Sequence, residues 1–304
     1  MLPIAGALGV DAVFQLEGRL PHRPLTPLWE EMERMGCSLS RPTENTLRCR
    51  GQLQAGTYSI DGSVSSQFIT GLLFAISLIP GKNQIHLTGK VESKPYITMT
   101  QKALTEFGID TTNYSLSGGI PYHSPGIVKI EGDWSNGAFF LAAQALGNSI
   151  TVENLQYDSF QGDRAVLTLL PSLRKHIIIS AADIPDLVPI LAVVAACNNG
   201  AIFTDIRRLR LKESDRIASV IAMLEALGGK ATATEDTMTV YGTGLRGGTV
   251  ESFNDHRIAM SAAIAATVCT SSVTILGVEC INKSYPHFLK EYRRLGGIYE
   301  QHIR

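Results

Sequence analysis

Val250-Glu-Ser-Phe-Asn-Asp-His-Arg257, followed by the apolar stretch Ile258–Val268, decides the fold because the same succession recurs along the chain. An alternating strand leads into a polar turn, and the turn leads into a helix that is apolar on nearly every side. A helix of that kind is stable in water only when it is buried. The pattern therefore predicts helices that lie inside the core.

Three further copies of this succession are present, and a second motif follows each of the four helices. The other copies are Tyr58–Gln67 before Phe68–Ile79, Val128–Asn136 before Ala138–Leu146, and Ile177–Asp186 before Leu187–Cys197. In the second motif a short strand enters a polar loop, and a more amphipathic helix comes next. The loops are Gly89–Tyr96, Tyr157–Arg164, Arg207–Arg216 and Cys280–Tyr285, and a fifth copy is Ala12–Leu16 followed by Gly18–Arg23.

Glycines mark the ends of the amphipathic helices and give the repeat its length. They stand at Gly36, Gly108, Gly228 and Gly296, at intervals of 108 − 36 = 72 and 296 − 228 = 68 residues. A glycine there is the common left-handed cap of a helix. The repeat is thus a strand, a buried helix, a strand, a loop, an outer helix and a hairpin, over about 65 residues. Four units and a preceding half unit predict a chain shortened at its N-terminus, with a degenerate first unit as the alternative.

Composition limits the classes of protein to consider. The chain has 304 residues, of which 44% are hydrophobic and 18% charged, with a net charge of −1. This length suggests two domains, and the near-zero charge argues against a nucleic-acid binder. The apolar run Leu187–Cys197 is too short to span a bilayer, which needs roughly 20 residues. No signal peptide is visible, and five scattered cysteines without metal-ligand spacing predict reduced thiols, no metal site and a cytoplasmic protein.

Cationic and hydroxyl side chains are concentrated in the loops of the repeats. Guanidinium and ammonium groups bind carboxylates and phosphates, so the expected ligands are small anions with more than one such group. Each loop also has a plainer interpretation. Arg207–Arg216 could be a solvated face or a nucleic-acid patch, although no aromatic residues lie between its basic residues. His256 alone is more typical of a structural role. Ser65-Ser66 and Asp255-His-Arg257 could simply begin helices.

One glycine motif is set aside. Gly242-Thr-Gly-Leu-Arg-Gly247 fits the dinucleotide-binding pattern and follows a probable strand, Met238–Tyr241. The fingerprint requires a helix next, whereas Gly248-Thr-Val-Glu251 has the pattern of another strand. The motif therefore predicts a hairpin turn.

Five motifs together resemble the EPSP synthase (3-phosphoshikimate 1-carboxyvinyltransferase) family of enolpyruvyl transferases. They are Asp61-Gly-Ser-Val-Ser-Ser-Gln-Phe68, Ser93-Lys-Pro-Tyr96, Leu211-Lys-Glu-Ser-Asp-Arg216, Asn254-Asp-His-Arg-Ile-Ala-Met260 and Lys283-Ser-Tyr-Pro286. The resemblance covers essentially the whole chain, in order. It implies an α/β (α+β) fold of two globules, an inside-out α/β barrel of βαβαββ units, with the substrates in the cleft between them. Residues 1–131 would form a partial N-terminal globule and residues 132–304 the C-terminal globule. The family's Pro-Gly-Ser-Lys-Ser and Gly-Asn-Ala-Gly-Thr segments are absent from the sequence.

The resemblance also implies the reaction, in which the 5-hydroxyl of shikimate 3-phosphate displaces phosphate from phosphoenolpyruvate in the shikimate pathway of aromatic amino acid biosynthesis. No cofactor or metal is implied. Asp186 would handle the hydroxyl proton, and Glu213 would be the proton donor, together with Lys283. Shikimate 3-phosphate ligands would be Ser65, Ser66, Gln67, Ser93, Tyr96, Asp186, Lys212 and, more weakly, Arg208, where some members carry Asn. Phosphoenolpyruvate ligands would be Arg23, Gln67, Arg216, Arg257 and Lys283.

The family further implies a monomer that binds no nucleic acid or membrane and that the herbicide glyphosate inhibits at the phosphoenolpyruvate position. Two alternatives stay open at this stage. The chain could be a non-catalytic fragment or pseudoenzyme that binds anions weakly, or it could be inactive alone. It could also be another enolpyruvyl transferase, such as the UDP-N-acetylglucosamine enzyme, although the reactive cysteine loop of that enzyme is not found here.

Overall fold

The computed structural model describes residues 1–301. They form two compact units, and the second unit begins at Glu131. The division falls one residue from the boundary expected from the sequence. Each unit has its own hydrophobic core.

The first unit contains four helices and six strands among the described residues. The helices are α1 (Leu2–Leu8), α2 (Leu28–Arg34), α3 (Ser66–Leu78) and α4 (Lys94–Glu106), with short 3-10 helices at Leu20–His22 and Thr112–Tyr114. The strands are β1 (Ala12–Gln15), β2 (Cys37–Ser40), β3 (Thr46–Gly51), β4 (Thr57–Asp61), β5 (Gly81–Thr88) and β6 (Ser115–Gly118). They form an antiparallel sheet β1-β3-β2 and a sheet β4-β5-β6, in which β4 and β5 are parallel.

The second unit is built in the same way. Its helices are α5 (Trp134–Ala145), α6 (Val166–Ser172), α7 (Val188–Ala196), α8 (Arg216–Ala226), α9 (His256–Ala265) and α10 (Phe288–Arg294), with 3-10 helices at Gly162–Ala165, Arg207–Leu211 and Val278–Lys283. Its strands are β7 (Ile177–Ser180), β8 (Ala201–Thr204), β9 (Lys230–Ala233), β10 (Thr237–Tyr241), β11 (Gly248–Glu251) and β12 (Val273–Leu276). The sheets are β7-β8-β10-β9 and the parallel pair β11-β12.

The predicted inside-out character is confirmed by the burial of the apolar helices. Every residue of α7 and of α9 is buried, and α3 is buried along most of its length. The glycines at 36, 108, 228 and 296 follow their helices with φ of 109°, 84°, 81° and 100°, as predicted for left-handed caps. Among residues 1–301 the strands form four separate sheets, so the barrel of the prediction is not closed.

Two predicted strands are not formed, and the reason is a missing hydrogen-bond ladder. Residues 128–131 and 150–153 alternate as strands do, but a strand needs a partner along its length. Within the described part of the chain, one backbone bond, from Gly132 N to Asn154 O at 3.1 Å, joins the residues that directly follow these two segments. Ile127 and Ile130 are accordingly exposed.

The predicted hairpin at Gly242–Gly247 is also wrong, although strands do flank the turn. Strand β10 pairs with β8 and β9, whereas β11 pairs with β12 in another sheet. The glycine-rich loop is therefore a crossover between two sheets. No helix within residues 1–301 has the length and apolarity that a bilayer span requires, and the five cysteines are free thiols, as predicted.

Candidate functional site

Three parallel strand pairs determine where the predicted site residues lie. The pairs are β4 with β5, β7 with β8, and β11 with β12. Loops at the carboxyl ends of neighbouring parallel strands meet at one edge of the sheet, where such folds bind ligands. Of the predicted residues, Arg23 alone lies elsewhere, after the 3-10 helix Leu20–His22. Ser65, Ser66 and Gln67 follow β4; Ser93 and Tyr96 follow β5; Asp186 follows β7; Arg208, Lys212, Glu213 and Arg216 follow β8; Arg257 follows β11; Lys283 follows β12.

In the first unit the predicted serines begin two helices. The Ser65 hydroxyl caps α3 by accepting a hydrogen bond from Gln67 N at 3.2 Å, and Ser66 is buried beside it. The amino end of a 13-residue helix carries free N–H groups and a partial positive charge, so it favours an anion. Gln67 is exposed at this end.

The second serine position is conformationally strained. Ser93 is buried at the start of α4 and has a φ of 54°, in the left-handed region that few residues other than glycine adopt. Its carbonyl accepts from Tyr96 N at 3.1 Å, which turns the chain into the helix. The preceding residue, Glu92, donates its N–H to Gly62 O at 3.2 Å, so the loops after β4 and β5 are in contact.

In the second unit a single arginine connects three carboxylates. Arg216 is 1% exposed and donates from NH1 to Asp186 at 2.7 Å and from NH2 to Glu213 at 2.5 Å. Its Nε donates to Asp255 at 3.0 Å. Burial alone would lower the pKa of Arg216, but the three carboxylates raise it above its ordinary value. The guanidinium is therefore a permanent cation that fixes the positions of its neighbours.

Asp186 is the carboxylate on which the cations converge. Besides Arg216, Arg257 donates to Asp186 Oδ2 at 3.1 Å, and Lys212 Nζ lies 3.8 Å from Oδ1. Burial acts to raise the pKa of Asp186, but the charges of Arg257, Lys212 and Arg216 together hold it well below its ordinary range. Burial lowers the pKa of Lys212, only partly offset by Asp186. Asp186 is thus an anion in the unliganded protein.

Glu213 differs from the other two partners of Arg216 because it is accessible. Its side chain is 31% exposed, against 17% for Asp186 and 0% for Asp255. It is bound to Arg216 by one atom of the carboxylate, Oε2. A ligand that reached this cluster could therefore replace Glu213 more easily than the other two. Arg208 lies nearby in sequence, half-buried in the 3-10 helix that precedes Lys212.

A further cation is held by a strained asparagine. Lys283 Nζ donates to Asn254 O at 2.7 Å and to Asn254 Oδ1 at 2.6 Å. Asn254 has a φ of 56°, which asparagine tolerates better than most residues. Asp255 follows as the cap of α9 and accepts from Arg257 N at 3.0 Å. His256, whose pKa is lowered by burial and by Arg257, is neutral near pH 7.

Sequence reasoning missed the buried carboxylate of Asp163. Asp163 is 2% exposed and accepts a hydrogen bond from the Ser135 hydroxyl. Asn254 was quoted as part of a motif without a role, and Asp255 was considered only as the start of a helix. The repeat pattern holds a usable signal, because Ser135 lies in the turn before a buried helix and Asp163 lies in the polar loop of the same unit.

The chemistry available here is anion binding with proton transfer. Arg216, Arg257, Lys212 and Lys283 supply positive charge, and Asp186 and Glu213 are the two partly exposed carboxylates that Arg216 binds. Within residues 1–301 no group of three His, Cys, Asp or Glu side chains is arranged to hold a metal ion.

Relatives with known names match this chain over most of its length. The family profile described as EPSP synthase (3-phosphoshikimate 1-carboxyvinyltransferase) matches residues 1–178 and 168–292. The 3-phosphoshikimate 1-carboxyvinyltransferase of Clostridium kluyveri is 37% identical, over 98% of this chain and 75% of its own. That of Clostridioides difficile is 34% identical, over 98% of this chain and 74% of its own.

Solved structures share the fold. The EPSP synthase from Acinetobacter baumannii superposes with a TM-score of 0.78 at 23% identity, and the match covers 97% of this chain and 76% of that one. The enolpyruvyl transferase NikO from Streptomyces tendae gives a TM-score of 0.70 at 18% identity, over 98% of this chain and 75% of that one. At these identities the likeness concerns architecture, and it confirms the inside-out α/β class that the family resemblance implied.

Proposed function

The chain belongs to the EPSP synthase family, the 3-phosphoshikimate 1-carboxyvinyltransferases, and from that premise we propose which of its residues perform each step of the reaction. It is a transferase of the shikimate pathway of aromatic amino acid biosynthesis. It moves the enolpyruvyl group of phosphoenolpyruvate to shikimate 3-phosphate. In the addition step, the 5-hydroxyl oxygen bonds to C2 of phosphoenolpyruvate and C3 gains a proton. In the elimination step, C3 loses a proton and the bond from C2 to the phosphate oxygen breaks.

Asp186 is the proposed base for the 5-hydroxyl proton. Its Oδ1 and Oδ2 are held by Arg216 at 2.7 Å and by Arg257 at 3.1 Å, so the carboxylate is fixed in one orientation. Fixed geometry is the first requirement for a general base. Lys212, 3.8 Å from Asp186, contacts the same substrate in this proposal, and Arg208 adds a weaker contact.

Glu213 is the proposed acid for C3, together with Lys283. In the unliganded protein Glu213 occupies NH2 of Arg216. The proposed phosphoenolpyruvate ligands are Arg23, Gln67, Arg216, Arg257 and Lys283, so this anion would take the place of Glu213 on Arg216. The released carboxyl would then be free to carry a proton. Binding of one substrate would thereby prepare the acid for the reaction.

The shikimate 3-phosphate ligands of the first unit are proposed at the two helix starts. Ser65, Ser66 and Gln67 offer hydroxyl, amide and backbone N–H groups at the amino end of α3. Ser93 lies at the start of α4, and Tyr96 would pack beside it. Hydrogen-bond donors at a helix N-terminus suit a phosphate monoester.

The observation that carries these roles is the cluster in which the buried Arg216 binds Asp186, Glu213 and Asp255. The test is release of inorganic phosphate by the purified chain given both substrates, with each substrate omitted in turn. We expect release only with both, and we expect Asp186→Asn to lower kcat by about 10²- to 10⁴-fold, the range of a general base. Asp158→Asn, an exposed aspartate of the same unit, is the matched control with unchanged kcat. Unchanged turnover in Asp186→Asn would refute the proposed base.

Finer properties follow from the same premise. We propose that the chain is a cytoplasmic monomer and that glyphosate, a small phosphonate, competes with phosphoenolpyruvate. The alternatives weighed from the sequence, a non-catalytic fragment or another enolpyruvyl transferase, are not favoured, because the named relatives at 34–37% identity are 3-phosphoshikimate 1-carboxyvinyltransferases. Sedimentation velocity tests whether the chain is a monomer. A competition assay against phosphoenolpyruvate tests whether glyphosate inhibits it.

A further inference from the structure

A pair of threonine hydroxyls joins α3 to α4 inside the first unit. Thr70 Oγ1 and Thr100 Oγ1 lie 2.9 Å apart. Thr100 also donates to Tyr96 O, four residues earlier on the same helix, at 2.9 Å. A hydroxyl has one proton to donate, so Thr70 is the donor of the bond between the helices and Thr100 is its acceptor. Thr100 is buried and Thr70 is partly buried, so water competes little for this contact.

The link lies one helical turn inside both of the helix starts that are proposed to bind shikimate 3-phosphate. Thr70 follows Ser66 by four residues in α3, and Thr100 follows Tyr96 by four residues in α4. Four residues correspond to about 6 Å along a helix axis. Helices bend only gently over such a distance, so a change in separation at the threonines is passed on to the two starts.

The loops that precede the two helices are fastened independently. Glu92 N donates to Gly62 O at 3.2 Å. The approach of the two backbones is close, because a Cβ at Gly62 would lie 2.8 Å from Val91 Cγ2 and 3.1 Å from Val91 Cα. This contact fixes the chain ahead of each helix, and the threonine pair fixes each helix after its first turn. The two helix starts are therefore held from both sides.

Cohesion of the two helices does not depend on the hydroxyls. Leu72 and Ile76 of α3 lie in the same hydrophobic core as Ile97 and Leu104 of α4. A hydrogen bond between protein groups replaces bonds to water, so its net contribution to stability is small. The bond is nevertheless directional and has a narrow range of length, which apolar packing does not. The threonine pair is therefore better suited to setting a distance than to holding the unit together.

We propose that Thr70 and Thr100 are positioning residues for shikimate 3-phosphate, and that their bond sets the spacing between the starts of α3 and α4. The inference rests on the proposed placement of this substrate at both starts. A ligand bound from two sides needs donors at one separation, and it loses contact on one side when that separation changes. The threonines act through the helix starts and are not themselves assigned as ligands.

Four single substitutions test the hydroxyls, because valine has nearly the shape of threonine without the polar group. Thr70→Val removes the donor, and Thr100→Val removes its acceptor. Thr70→Ser keeps the hydroxyl and is the conservative rescue. Thr105→Val is the matched control, because Thr105 also lies on α4 and donates to Gln101 O at 2.9 Å, as Thr100 does to Tyr96 O, but is exposed.

Binding of shikimate 3-phosphate to the whole chain is measured by isothermal titration calorimetry without phosphoenolpyruvate, so turnover is not required. We expect Thr70→Val and Thr100→Val each to raise Kd about three- to tenfold, the effect of one hydrogen bond. The double variant should bind no more weakly than the weaker single variant, since the same bond is lost. Thr70→Ser and Thr105→Val should match the wild type. In phosphate release, KM for phosphoenolpyruvate should change less, because most of its proposed ligands lie in the second unit.

An unchanged Kd in both valine variants would overturn the proposal, even if they unfold at lower urea concentration, because the pair would then serve stability alone. An equal loss in Thr105→Val would also overturn it, by assigning the effect to helix propensity. Thr70→Ser binding as weakly as Thr70→Val would show that shape, and not the hydroxyl, is responsible.

Gln67→Ala separates this result from the proposed ligand set. If Gln67→Ala weakens binding of shikimate 3-phosphate and the threonine variants do not, the positioning role alone fails. If Gln67→Ala binds as tightly as the wild type, or the wild type does not bind, the proposed placement of the substrate at α3 is wrong. The inference then fails together with that placement.

Discussion

Arg216 and Asp255 are joined by two hydrogen bonds in the interior of the second unit, from Nε to Oδ2 at 3.0 Å and from NH2 to Oδ1 at 3.4 Å. The Asp255 side chain has no exposed surface. Its Oδ1 also accepts from Arg257 N, and its Oδ2 accepts from the Ser214 hydroxyl at 3.1 Å. One carboxylate thus orients Arg216 and begins the helix that carries Arg257. Arg216 and Arg257, both proposed to bind substrate, are therefore positioned by the same buried carboxylate.

Removing the charge of Asp255 should destabilise the second unit strongly. Asp255→Asn keeps an oxygen that can cap α9, but it leaves the buried Arg216 with less compensation. Breaking a buried ion pair from one side costs about 3–5 kcal/mol of unfolding free energy. Asp215→Asn is the matched control, because Asp215 also caps a helix and pairs with an arginine, Arg210, but is 39% exposed.

We expect the control to change the unfolding free energy by about 0–1 kcal/mol. Urea unfolding in a Trp29→Phe background reports the second unit, because Trp134 is then the remaining tryptophan of the two in the chain. Equal losses of unfolding free energy in Asp255→Asn and Asp215→Asn would show that helix capping, and not the buried charge, accounts for the stabilisation by Asp255.

Asp163 should make stability depend on pH in a direction opposite to that of an ion-paired aspartate. Its pKa in the folded protein is about 6, above the unfolded value of about 3.9. The protonated Asp163 carboxyl stabilises the folded protein fully below pH 4, and this stabilisation is lost as the pH rises through 6. Two pKa units correspond to about 3 kcal/mol. Asp163→Asn has no proton to lose, so its unfolding free energy relative to wild type should increase by up to about 3 kcal/mol between pH 4 and pH 7.

The difference between variant and wild type is the useful measure here, because Asp186 and Asp255 have lowered pKa values and lose stability as the pH falls. The contribution of Asp255 is common to both proteins and cancels, and the contribution of Asp186 changes only through its charge interaction with Asp163. A difference in unfolding free energy that is constant from pH 4 to pH 7 would exclude a raised pKa at Asp163.

Asn254 should serve two separable purposes, tolerance of a left-handed backbone and orientation of Lys283. Asn254→Ala faces a conformational cost of about 1–2 kcal/mol at a φ of 56° and loses the Oδ1 acceptor. Asn254→Gly loses only the acceptor. We expect both variants to raise KM for phosphoenolpyruvate several-fold, up to about tenfold, while only the alanine variant unfolds at lower urea concentration. A normal KM in the glycine variant would show that the backbone carbonyl suffices to hold Lys283.

The sequence predicted the helices well and the strands less well, for a physical reason. The buried helices α7 and α9 follow from local apolar runs, and the glycine caps follow from backbone conformation at a single residue. Strands require a partner that is distant in the chain. Residues 128–131 alternate correctly and still form no ladder, and Gly248–Glu251 pairs with β12 in place of its neighbour in sequence, β10.

The candidate site was also predicted only in part. Glu213, Arg216 and Arg257 were predicted because their motifs match a family, and Asp186 was predicted from its position at the end of the repeat segment Ile177–Asp186. Asp163 was missed because its burial and the effect of the Asp186 charge on it are properties of the folded chain, and its place in a polar loop of the repeat is a weaker signal than a family motif. Arg216 was predicted as a ligand for an anion, and the structure shows in addition that three carboxylates of the protein already surround it.

Glu213 should be identified as the acid by a large fall in kcat without a rise in KM. Glu213→Gln cannot donate a proton to C3, so we expect kcat to fall by about 10²- to 10³-fold. The neutral amide also competes less well than a carboxylate for Arg216, which lies 2.5 Å from Glu213 Oε2 in the unliganded protein. Phosphoenolpyruvate should therefore bind at least as tightly as to wild type, and its KM should stay level or fall.

Steady-state phosphate release at pH 7.5 measures both constants. Glu225→Gln, an exposed glutamate on α8, is the control and should match wild type. A normal kcat in Glu213→Gln would assign the proton to Lys283 alone, whereas a raised KM would mean that Glu213 positions substrate and is not displaced by it.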